Sequence, residues 1–62
     1  MDDRTAVQAL AALGNDHRLR IFRMLVQAGP SGMRAGELAK RLGIGATNLS
    51  FHLKELDRAG LL

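Results

Sequence analysis

A chain of 62 residues with 47% apolar content and no Cys builds one small domain, or part of one, of marginal stability, for which disulfides and thiolate metal sites are excluded and disorder is disfavoured. Nine Lys and Arg against six Asp and Glu leave a formal charge of +3, which suits a polyanionic partner only where the positive groups cluster. No apolar run is long enough to span a membrane and no secretory signal pattern opens the chain.

The first segment, DDRTAVQALAAL, places Val7, Leu10, Ala11 and Leu13 at helical spacing, with Asp2 and Asp3 at the positive end of the helix dipole. Gly14 and Asn15 break it, and Asn15 is a good N-cap for a second helix with Asp16 in its first turn. There Leu19, Phe22, Leu25 and Val26 share a face, broadened by Ile21 and Met24. Gly29 and Pro30 end it. A short third helix fits AGELAKRL, with Leu38, Ala39 and Leu42 inward and Glu37, Lys40 and Arg41 outward; Arg34 is a poor cap for its start. Gly43 suits the left-handed position after a helix end, Ile44 plugs the corner, and a fourth helix is expected from about 46 to 59, stopping at Gly60. No stretch reads as a firm strand, so the expected class is all-α.

The third and fourth segments have the layout of a helix-turn-helix, in which one helix crosses the DNA backbone and the next presents its first turns to base edges in the major groove. On a helical wheel of about 100° per residue, Leu49, Leu53 and Leu56 fall together, and Thr47, Phe51, Lys54 and Arg58 fall opposite. Asn48 and Ser50 flank the exposed face, while His52 lies nearer the core edge. Phe51 therefore points outward, either to meet a thymine methyl group in the groove or to pack under chain outside these residues. Thr47 and Asn48 are candidate base readers, Ser50 a phosphate or base donor, and Lys54 and Arg58 phosphate contacts one turn apart. Arg34 and Lys40 can meet the backbone from the third helix. Glu37 and Arg41 read as an ordinary i,i+4 surface pair, and Arg18, Arg20 and Arg23 as solvated. His52 reads equally as a packing, phosphate or base-reading residue. An ordinary imidazole pKa near ~6.5 there would let acid strengthen DNA binding.

ELAKRLGIGATNLSFHLKELDRAGLL resembles the helix-turn-helix core of the ArsR/SmtB family of bacterial winged-helix transcriptional regulators. The resemblance rests on Glu37-Leu38-Ala39, Leu42-Gly43, the run from Leu49 through Ser50, Phe51 and His52 to Leu53, then Leu56 and Ala59-Gly60-Leu61. Upstream, Arg18, Leu19, Ile21 and Leu25 match the family's second helix, so the likeness covers residues 10–62. It implies DNA contacts from Ala46, Thr47, Asn48, Ser50, Phe51 and His52, a homodimer, a near-palindromic operator on double-stranded DNA, and a cytoplasmic repressor. Ala46 departs from the polar residue often found there, Phe51 from a polar reader, and Asp16 from Pro. The family's two-stranded wing and last helix have no counterpart here, so the expectation is a partial winged domain that binds DNA weakly by itself. The segment from Val7 to Leu13 is the expected dimer surface, which would set two recognition helices ~34 Å apart.

Family members that sense metals use Cys pairs or His and Asp sets that this chain lacks. Neither metal nor cofactor is expected, and the effector is left open. Ser50 and His52, two apart on a helix, diverge and cannot form a nucleophile–base pair, so an enzyme is not expected. Two rivals stand beside the DNA reading: a winged-helix module that binds protein through Phe51, and the regulatory head of a larger fused protein.

Overall fold

In the computed structural model, which describes residues 2–62, four helices follow one another: α1 (Asp3–Leu13), α2 (Asp16–Ala28), α3 (Ala35–Leu42) and α4 (Ala46–Arg58). A 3-10 turn, Gly29–Ser31, links α2 to α3, and the described residues contain no strand. The all-α expectation therefore holds.

The helix ends follow local chemistry. Asp2 caps α1 by accepting from the Thr5 amide at 2.7 Å, and that bond holds its carboxyl below the ordinary carboxylate value. Asn15 caps α2 in the same way, accepting from the Arg18 amide at 3.1 Å. Arg34 and Gly45, at the starts of α3 and α4, offer no side-chain cap. At the other end of α3, Gly43 is left-handed at φ 70, its amide meets the Lys40 carbonyl at 3.3 Å, and the Ile44 amide reaches back to Ala39 at 3.1 Å. The end of α4 repeats the device: Gly60 at φ 78, its amide on Asp57 at 2.9 Å, and the Leu61 amide on Leu56 at 3.0 Å. In each case the apolar residue after the glycine, Ile44 or Leu61, folds onto the core.

The core is one cluster of Ala12, Ile21, Leu38, Leu42, Leu49 and Leu56, drawn from all four helices. Ile21 and Leu56 are wholly shielded from solvent at 0% exposure. Helix α4 packs on each of the other three helices.

On α1 and α2 the structure chooses which apolar face turns inward. On α1 the inward residues are Ala9 and Ala12, with Leu13 half-buried, whereas Val7 and Leu10 stand 64% and 70% exposed and Ala11 is also exposed. On α2 the centre is Ile21, with Met24 and Leu25 beside it; Leu19 and Val26 face solvent and Phe22 is half-buried. Both helices are apolar around more than one face, so periodicity alone does not choose between them. Ala12 of α1 and Ile21 of α2 enter the cluster formed with Leu38, Leu42, Leu49 and Leu56 of α3 and α4.

Leu56→Ala empties a fully enclosed site and should cost about 2–5 kcal/mol, enough to threaten folding of so small a domain. Phe51→Ala, on the open side of the same helix, should stay within about 0.5 kcal/mol of the parent. Chemical denaturation of the two variants checks the contrast.

Candidate nucleic-acid interface

Three residues, Gly43, Ile44 and Gly45, turn the chain from α3 into α4. Gly43 supplies the backbone conformation that an L side chain resists, and Ile44 pins the corner from inside. Leu38 and Leu42 on α3 and Leu49 on α4 then lock the helix pair. Because Leu49 and Leu56 point inward and Leu53 is half-buried, the opposite side of α4 is fixed outward.

That outer side carries Thr47, Asn48, Ser50, Phe51, Lys54 and Arg58, all exposed, with Phe51 at 56%. Thr47, Asn48 and Ser50 make no side-chain hydrogen bond among the described residues. Their polar atoms are open to a partner, as are the amides of the uncapped first turn of α4. Lys54 has no carboxylate within ion-pair distance among the described residues, while Arg58 lies 3.5 Å from Glu55. Arg34 and Lys40 are exposed at the two ends of α3. Arg41 is occupied by Glu37 at 2.9 Å, the surface pair expected from their spacing.

The sequence reading of Arg18 as solvated is corrected. Its Nε donates to the Ala12 carbonyl at 2.7 Å, and its Nη1 lies 3.4 Å from Nδ1 of His52. The His52 ring also faces His17, with centroids 5.4 Å apart, and meets the Phe51 ring edge-on at 5.6 Å. His52 is thus half-buried at the seam of α2 and α4, beside the exposed face. Burial, then the positive Arg18, then His17 hold its pKa below the ordinary imidazole value. The ordinary value assumed from sequence is overturned, and charging of His52 is deferred to more acid conditions. Sequence offered one usable signal for Arg18: it stands three residues before Ile21, on the stripe that faces the core. A contact 34 residues away along the chain was beyond local pattern.

Among the described residues, no group of three or more His, Cys, Asp or Glu could hold a metal ion, and no helix is long and apolar enough to cross a membrane.

A family model described as a helix-turn-helix domain matches residues 13–62, which takes in α2, α3, the turn and α4. The chain is also similar to the uncharacterized HTH-type transcriptional regulator YceK of Bacillus subtilis (strain 168), at 37% identity over 60 residues. That alignment covers 97% of this chain and 59% of the relative, so the chain spans about three fifths of that protein's length.

The depressed pKa of His52 has a signed consequence for stability. The folded state disfavours the imidazolium, so the unfolded chain binds more protons just below pH ~6.5. The stabilisation is present above that value and is lost as pH falls toward the lower folded value. The melting temperature should therefore drop on acidification through this window, and the drop should shrink in His52→Asn; thermal unfolding across pH measures it.

Proposed function

We propose, from the premise that the chain belongs to the helix-turn-helix domain family, that it is a DNA-binding transcriptional regulator which lays α4 in the major groove. One observation carries the reading: α4 hides Leu49 and Leu56 and turns Thr47, Asn48, Ser50, Phe51, Lys54 and Arg58 to solvent, immediately after a tight glycine turn. Those are the residue types such a groove requires. Thr47 and Asn48, in the first turn, take base edges by hydrogen bonding, and Phe51 takes a thymine methyl group. Ser50, Lys54 and Arg58 take phosphate or neighbouring base atoms, and Arg34 and Lys40 hold the backbone from α3. The name of the Bacillus subtilis relative supports a regulatory role.

The finer reading is a winged-helix repressor of the ArsR/SmtB type, acting in the cytoplasm as a homodimer on a near-palindromic operator. The resemblance in α3 and α4 supports the family assignment, and α1 supports the dimer. That helix buries alanines and exposes the larger Val7 and Leu10, an arrangement suited to a second apolar surface. The 62 residues are read as one domain.

Selection of bound duplexes from a random pool tests the proposal. An inverted repeat should emerge; binding that ignores sequence, or binding to protein but not to duplex, would overturn it in favour of the module anchored by Phe51. Within the selected site, Lys54→Ala should weaken all sequences alike and reduce the slope of log affinity against log salt by about one. Thr47→Ala and Asn48→Ala should instead cost about 1–3 kcal/mol of discrimination at particular base pairs.

Arg34→Ser separates stability from binding. It supplies the cap that α3 lacks and should stabilise the fold by about 0.5–2 kcal/mol, while weakening DNA binding through the lost cation. Denaturation and binding titrations on the same variant should move in opposite directions.

A further inference from the structure

Arg18 makes both of the side-chain hydrogen bonds that join one helix to another among the described residues. The others are local: the caps from Asp2 and Asn15, and Arg41 on Glu37 within α3. The guanidinium of Arg18 ties the last turn of α1, through the Ala12 carbonyl at 2.7 Å, to His52 of α4 at 3.4 Å. Because a guanidinium only donates, this contact is a hydrogen bond in the tautomer that leaves Nδ1 of His52 as acceptor and carries the imidazole proton on Nε2. Resting on the DNA-reading role of α4 proposed above, we infer that Arg18 is a positioning residue for the DNA-facing helix and acts through Nδ1 of His52.

The need for such a residue comes from the nature of the core. Burial of Leu49 and Leu56 fixes which side of α4 is inward, but apolar burial is non-directional and tolerates rotation and sliding. Hydrogen bonds to base edges do not tolerate them, since they weaken steeply with angle. His52 stands next to Phe51 in sequence and against its ring in space, between the leucine seam and the exposed face. A directional contact at that point sets the rotation of the whole outer face relative to α1 and α2.

The contact is also conditional on protonation. From α2, His52 faces Arg18 and the His17 ring. On α4 its charged neighbours are Lys54 and Glu55; Glu55 lies 3.5 Å from Arg58 and shares a shallow cleft with Arg18. The charged residues of α1, Asp3 and Arg4, belong to its first turn, whereas Ala12 is in its last. On α3, Glu37 and Arg41 pair with each other and Lys40 is exposed. No carboxylate bonds to His52 among the described residues, so a proton at Nδ1 removes the acceptor and opposes the Arg18 guanidinium. Simple charge attraction to DNA would make acid tighten binding; loss of the positioning contact makes acid weaken it.

Two side-chain amides separate the alternatives. Asn places its Oδ1 where Nδ1 stands and does not titrate, whereas Gln reaches toward Nε2 and leaves the Nδ1 position empty. The full chain, titrated with duplexes enriched from a random pool at constant ionic strength, should bind more weakly at about pH 5.5 than at about pH 7.5, by a factor below about ten. His52→Asn should keep the affinity seen at the higher pH and lose the pH dependence. His52→Gln and Arg18→Lys should each weaken binding by a similar factor, and combining them should add little. Nitrogen chemical shifts of His52 in the free protein give a reading independent of DNA: the proton should reside on Nε2, and Arg18→Lys should relax that preference. Affinity kept by Gln and lost by Asn, tightening in acid, or a proton on Nδ1 in the neutral state would overturn the positioning role. Absence of enrichment by the parent chain would remove the DNA reading itself. Enrichment with equal binding by all variants would remove the positioning role alone.

Discussion

Leu49 and Leu56 are seven residues apart on α4, nearly two full turns, so their side chains emerge within about 20° of each other. Both enter the same apolar cluster as Ile21 and Leu38, and together they hold the helix at two points along its length. Full burial of a leucine is worth about 1.5–3 kcal/mol, a large share of the stability of so small a domain. The orientation of the outer face is therefore not a separate property of α4. It is enforced by the same burial that lets the chain fold, and the short turn at Gly43 leaves no slack to relax it.

What sequence made legible was whatever is decided locally. The cap at Asn15, the break at Gly29, the left-handed Gly43 and the stop at Gly60 each depend on a few adjacent residues. The facing of α3 and α4 was legible because each has one narrow apolar stripe. The facing of α1 and α2 was not. Val7 and Leu10, read as part of a dimer surface, are exposed, and Leu19 and Val26, which look like core residues by type, are exposed too, because helices apolar on two sides are oriented by their neighbours. The outward placement of Thr47 and Phe51 was readable from the wheel; the bonding of Arg18 to Ala12 and His52 was not, since it joins residues that no local pattern relates.

Electrostatics in this molecule are sparse. The ion pairs are local, Glu37 with Arg41 on the surface and the half-buried Glu55 with the exposed Arg58, and surface pairs of that kind add little to stability. No buried polar side-chain atom lacks a partner among the described residues. Apart from Arg18, the basic residues thus have little structural duty. Lys54, Arg34 and Lys40 stand clear of carboxylates, on the elements flanking the glycine turn.

No side chain caps α4, and its far end is closed by backbone bonds around Gly60. The outward residues of that helix therefore bear no responsibility for its existence. Thr47, Asn48, Ser50 and Phe51 can be exchanged during evolution with little penalty to the fold, so chains sharing this scaffold are free to diverge in what they recognise while remaining equally robust.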